Sequence, residues 1–205
     1  MYAVPDLKVD PALGVLVEAS QSALKPYPVL PLPNEMLHVT LEMVSGVPSD
    51  QITLAERAEL VTSLETHLAE VPAFQFLAGS PVANRAGVYL DCWPDIELNA
   101  LHQKARSAIQ AVRGPDAVRY RGGRPHCSLG YSYANGDSDQ LQSALRAISP
   151  SHAHFTVNSV ALVDVTFTLI KTPSPTESEE SAWDFTFTPL HTIALAAPGN
   201  YAPVS

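Results

Sequence analysis

Leu37-His38-Val39-Thr40-Leu41 and, 88 positions later, Pro125-His126-Cys127-Ser128-Leu129 carry one short pattern twice: His-x-[Ser/Thr]-Leu in apolar surroundings. In an extended strand, successive side chains point to opposite faces, so residues two apart share a face. His38 and Thr40 therefore look one way while Val39 and Leu41 anchor the other. His126 and Ser128 stand in the same relation to Cys127 and Leu129. With the two strands adjacent, two imidazoles and two hydroxyls converge on one pocket. Such a set holds an anionic group and moves protons on both sides of it. A lone histidine in an apolar strand is ordinarily a hydrogen-bonded structural residue. The repetition, in two strand-like segments, is what points to chemistry.

Working outward, the first motif strand spans 37–44 and a helix follows. Thr53 and Glu56 make a capping box, and Leu54, Ala58, Val61, Leu64, Leu68 and Val71 recur at helical spacing. Strands at 74–83 and 87–92 flank an Asn84-Arg85-Ala86 turn. A second helix starts at Pro94-Asp95, with Ile96, Leu101, Ala105, Ala108, Ile109 and Val112 inward and His102 on its solvent side. A basic loop broken by Gly114-Pro115 and Gly122-Gly123 leads to the second motif strand, 125–133. A short helix bearing Leu141, Ala144, Leu145 and Ile148 comes next, then strands at 155–157, 160–170 and 183–195, with Pro189 marking an edge or a bulge. Ahead of the first motif, the apolar run at 11–19 reads as a strand, and Pro26, Pro28, Pro31 and Pro33 as an extended loop. Motif strand, helix, strand, strand thus occurs twice, which predicts two lobes of related build.

The 205 residues suit one bilobal domain, 1–205, with a mobile acidic loop at 172–181 and a tail at 197–205. No run of 18 apolar residues is present, and the first residues lack the basic-then-apolar pattern of a signal peptide. These features, with two cysteines read as buried free thiols (Cys92, Cys127), lead us to expect a monomeric cytoplasmic protein with no membrane partner. A net charge of −9 argues against tracking long nucleic acid. Six of the twelve Lys and Arg nevertheless fall between positions 104 and 124: Lys104, Arg106, Arg113, Arg119, Arg121 and Arg124. A local positive funnel of this kind suits a small anionic substrate. His152 and His154 share a strand face without an evident third ligand, so no metal and no cofactor is expected.

The paired motifs, and the phrase Arg124-Pro-His-Cys-Ser-Leu-Gly-Tyr131 in particular, resemble the two-histidine (2H) phosphoesterase superfamily. The similarity is greatest to its bacterial RNA 2′,3′-cyclic phosphodiesterase, or 2′-5′ RNA ligase-like, branch. That resemblance implies an α+β fold: two antiparallel sheets related by a pseudo-twofold around a central cleft, with helices outside. It implies opening of 2′,3′-cyclic phosphates on a small phosphate ester or an RNA terminus, with 2′-5′ joining of RNA ends in reverse in some members. His38, Thr40, His126 and Ser128 carry the catalytic pattern. Arg124, Arg121 and Tyr131 are candidate substrate contacts; strand alternation puts Tyr131 on the face away from His126 unless a bulge intervenes. Two other readings use the same cleft. One is a module that binds nucleotides or RNA ends without turnover, and the other is the same chemistry on a non-RNA ester such as an ADP-ribose cyclic phosphate.

Overall fold

A computed structural model describes residues 1–119, 122–172 and 180–197. Its elements run β1 (Tyr2–Ala3), α1 (Pro11–Leu24), β2 (Val29–Pro31), β3 (Val39–Thr40), α2 (Leu54–Leu68), β4 (Phe74–Asn84), β5 (Gly87–Trp93), α3 (Ile96–Arg113), β6 (His126–Ser132), α4 (Ser138–Arg146), β7 (His152–Val157), β8 (Ser159–Thr172) and β9 (Glu180–Ala194). The class is α+β, as expected. The two expected sheets are instead one antiparallel sheet ordered β7-β4-β5-β6-β3-β1-β8-β9, with β2 also on β6. The join is the β3–β6 pair at its centre, where Val39 lies opposite Cys127. The repeated element order is present, but interleaved. β5, which follows the first motif, pairs with the second motif strand, whereas β8, which follows the second, reaches the first through β1.

The motif strands hold their place from behind: Val39, Leu41, Cys127 and Leu129 are all buried. Helices α1 and α4 pack over β7 and β4, and α2 packs on α3 and β9. Among the described residues, no helix is long and apolar enough to cross a membrane.

The run at 11–19 is helical, not a strand. Over seven residues its apolar content fits either form. Over the whole segment Leu13, Leu16, Val17, Ser20 and Leu24 make a 3–4 stripe, and all are buried. Pro11 sits in the first turn, where its missing N–H costs nothing. Asp10 does not cap the helix; its carboxylate accepts from the Thr156 amide (2.6 Å) and hydroxyl (2.7 Å), tying the start of α1 to β7.

The first motif strand is shorter than 37–44. Beyond Thr40 the carbonyl of Leu41 is bonded by the His102 ring on α3 instead of by a neighbouring strand. Next to it the buried Glu42 carboxylate accepts from Arg106 Nη1 at 2.9 Å. Side chains of α3 thus take the Leu41 carbonyl and the Glu42 carboxylate, while the Leu41 and Glu42 amides donate to the Met1 carbonyl.

Thr53 caps α2 as its motif predicts, accepting from the Glu56 amide at 3.2 Å. Leu54 and Ile96, expected inside, are exposed first-turn residues, and Leu60 and Leu98 take the buried positions. We expect Thr53→Ala to cost about 1 kcal/mol in urea unfolding, with turnover unaffected.

The β8–β9 pairing extends from Ser159↔Ala194 to Thr172↔Glu180, and the register shift between Leu162 and Val163 falls beside Pro189 at the sheet edge. The loop expected at 172–181 lies, apart from its strand ends, outside the described residues, as do Arg121 and nearly all of the expected tail.

Candidate functional site

With Val39 opposite Cys127, one step either way puts His38 across from Ser128 and Thr40 across from His126. The four motif side chains form a square in which each imidazole faces the other strand's hydroxyl and the two imidazoles lie on the diagonal. Cross-strand diagonals of this kind span roughly 7–8 Å between backbone positions, room for one phosphate between the rings.

The two histidines are held alike and housed differently. His38 Nδ1 bonds the carbonyl of Met36 at 2.8 Å, and His126 Nδ1 bonds that of Arg124 at 2.9 Å, in each case two residues upstream. A carbonyl only accepts, so in each ring Nδ1 carries the hydrogen and donates it. This leaves Nε2 as the working nitrogen.

His38 is 3 % exposed. Its ring is sandwiched between Tyr2 (centroids 4.2 Å apart) and Phe185 (4.8 Å), with Phe187 edge-on at 5.8 Å. Burial pulls its pKa down to about 4, against the opposing pull of the Met36 carbonyl; the nearby His126 charge lowers it further. His38 is therefore neutral at neutral pH. His126 is half-buried at the cleft surface, edge-on to Tyr89 at 5.1 Å.

Each hydroxyl has a tyrosine partner. Tyr2 stands across from Thr40 on β1, and Tyr131 shares a small hollow with Ser128 and His126. Burial raises the pKa of both phenols, so they stay protonated. Each hydroxyl therefore keeps a hydrogen that it can donate.

Plain alternation, which put Tyr131 on the face away from His126, is overturned by a bulge that brings it to the side of Ser128. β5 pairs Val88 with Gly130 but Tyr89 with Ser128, leaving Leu129 as the extra residue and turning Tyr131 onto the histidine face. Gly130 is required there, since a Cβ would sit 2.7 Å from the Leu30 carbonyl oxygen.

Arg124 stands beside the square with its charge already engaged: Nε is 3.0 Å from the Asp91 carboxylate and Nη2 donates to the Tyr89 hydroxyl at 2.9 Å. Arg106 and Arg113 are likewise paired, with Glu42 and Glu56. Half of the six expected cations are therefore neutralised, and the positive funnel is weaker than the sequence suggests. His102, expected on the solvent side, is half-buried against Leu41 and lines a cavity of about 220 Å³ beside Thr40, Arg124 and His126. His152 and His154 lie on the exposed face of edge strand β7. Burial raises the pKa of both free thiols, Cys127 to about 12. At neutral pH they are inert.

Tyr2, Tyr89, Phe185 and His102 were not singled out by the sequence. Only Phe185 carried a readable signal: Trp183, Phe185 and Phe187 alternate along one strand face.

The model of the 2′-5′ RNA ligase superfamily matches residues 9–166 of this chain, both motifs included. The chain belongs to the 2′-5′ RNA ligase superfamily. It is thus a two-histidine phosphoesterase in family and in fold. Among solved structures it is similar to TT0787 of Thermus thermophilus, with a TM-score of 0.64 and 16% identity over 96% of this chain and 97% of that one. LigT of E. coli complexed with 3′-AMP is similar at TM-score 0.56 and 17% identity, over 87% and 92% of the two chains. A protein described as a phosphoesterase follows at TM-score 0.54 and 15% identity, over the same shares. At these identities the likeness concerns the fold. No curated protein matches.

Proposed function

We propose that this superfamily member opens 2′,3′-cyclic phosphates of nucleotides or RNA ends by general acid–base catalysis from its two histidines, without a metal. The observation that supports this most is the square of His38, Ser128, Thr40 and His126. Neutral His38 is suited to take a proton from the attacking water through Nε2. The P–O bond to one ribose oxygen breaks, and that oxygen leaves with a proton from Nε2 of His126. The hydroxyl hydrogens of Thr40 and Ser128 bond the non-bridging oxygens as charge builds on them. The reverse step, with a ribose hydroxyl in place of water, is ligation.

The test is turnover of 2′,3′-cyclic nucleotides and of short RNA with a cyclic-phosphate end in the presence of EDTA. Persistent hydrolysis is expected, and hydrolysis abolished by EDTA counts against the proposal. With His38 neutral down to about pH 4, kcat/KM should stay level through pH 6.5 on the acid side and fall only towards pH 4. A fall centred near 6.5 would remove His38 from the base role.

The depth of His38 favours a second reading, a module that binds nucleotide or RNA ends without turnover. Measurable affinity with no product from any cyclic substrate, an ADP-ribose cyclic phosphate included, would select it.

A further inference from the structure

One aromatic face leaves the core at the candidate site and continues into solvent. Along the β8–β9 hairpin, Phe185 pairs with Phe167 and Trp183 with Leu169, all on one side of the two strands. The inner member, Phe185, is 2 % exposed and stacked on His38. The outer ones, Phe167 and Trp183, are each 57 % exposed. Tyr131 and Phe167 both meet Phe185 edge-on, at 5.9 and 5.3 Å. Tyr131, Tyr133, Phe167 and Trp183, rimmed by Ser132 and Ser181, line an open cleft of about 590 Å³. Tyr131 belongs to both places: it lines a hollow with His126 and Ser128 and it walls this cleft.

We infer that this cleft takes the base of the nucleotide preceding the cyclic-phosphate terminus, stacked between Trp183 and Phe167, so that the preferred substrate is an RNA end and not a free nucleotide. This rests on the function proposed above and specifies its substrate. Three observations favour a nucleobase over other occupants. The cleft is continuous with the reaction centre through Phe185, which stacks on His38 and meets both Tyr131 and Phe167. Its walls are aromatic and its rim is hydroxyl-bearing, suiting a π-face with ribose beside it. Strand alternation turns Asp184 and Thr168 to the other side of the hairpin, which keeps the Asp184 carboxylate away from this face.

The experiment compares kcat/KM for a nucleoside 2′,3′-cyclic phosphate and for a dinucleotide with the same cyclic terminus, in wild type, Trp183→Ala and Phe167→Ala. Stacking of one base predicts a dinucleotide preference of about tenfold or more in wild type, falling towards one in both variants. A ratio near one in wild type, or a preference that survives both substitutions, overturns the inference. A binding arm separates it from the proposed reaction. In Trp93→Phe protein, Trp183 is the sole tryptophan, and a dinucleotide ending in a 2′-phosphate should quench its fluorescence at concentrations where the mononucleotide does not. Quenching without any turnover would sink the proposed reaction and keep the site. Absence of quenching, or a fluorescence change that follows protein concentration without nucleotide as a second copy covers the face, sinks the site.

Discussion

His126→Ala is expected to lower kcat on a 2′,3′-cyclic nucleotide by about 10²- to 10⁴-fold, the contribution of one well-placed proton transfer, or about 3–5 kcal/mol of barrier. The expectation is specific because little else depends on this ring. His126 is half-buried, its Nδ1 bonds the Arg124 carbonyl, and its ring contact is edge-on with Tyr89. The thermal midpoint should therefore move by a degree or two while kcat collapses. Arg124→Ala makes the contrast. It removes a partly exposed cation already paired with Asp91, so its effect should be far smaller and should appear in KM. His38→Ala should lose as much activity as His126→Ala, but it also empties an aromatic sandwich. His38→Gln, which keeps most of the volume without a titrating ring, is the companion variant. Turnover in His126→Ala within tenfold of wild type, in protein that melts normally, would refute the two-histidine mechanism.

The parts of the site legible in the sequence were those set by local periodicity. Two tetrapeptides and the alternation of strand side chains located all four members of the square. The helix cap at Thr53 and the β4–β5 turn are local in the same sense. What could not be read there depends on tertiary placement. His102 sits on the polar side of an amphipathic helix, and only the early departure of Leu41 from the sheet turns that side into a contact with the motif. Arg106 and Arg113 read as free cations because Glu42 and Glu56 lie 64 and 57 positions away. Tyr131 required a bulge at Leu129, which Gly130 hints at and only the pairing with β5 and β2 establishes. The strand assigned to 11–19 failed for a different reason: too short a window was read. The largest gap, the aromatic housing of His38, brings together residues from both ends of the chain, Tyr2 and Phe185.

Phe185→Ala tests that housing, and it should have two effects of opposite bearing on pH. Truncating a fully buried phenylalanine typically costs about 3–5 kcal/mol, here through loss of the contacts with Tyr2, His38, Tyr131, Phe167 and Phe187. The second effect runs through His38. Its pKa is about 4 in the folded chain, against 6.5 for an unperturbed histidine. Between those values the unfolded chain binds the proton and the folded chain does not, so wild-type stability must fall as pH drops from about 6.5 towards 4. The full difference amounts to about 3 kcal/mol. Removing Phe185 opens one face of the ring to water and relieves the desolvation that depresses the pKa, so the folded value rises towards 6.5 and this acid sensitivity shrinks. Urea unfolding at pH 7 should show the whole deficit of Phe185→Ala, and at pH 4.5 the gap to wild type should narrow by about 1 kcal/mol or more, about one pKa unit recovered. The acid limb of kcat/KM should move upwards in step. Phe185→Leu, which keeps most of the volume, serves where the alanine variant is too unstable to measure, and it should show the same narrowing on a smaller scale. A deficit that stays constant from pH 7 to pH 4.5 would mean that the aromatic sandwich does not set the protonation of His38, and the assignment of His38 as the neutral partner would lose its physical basis.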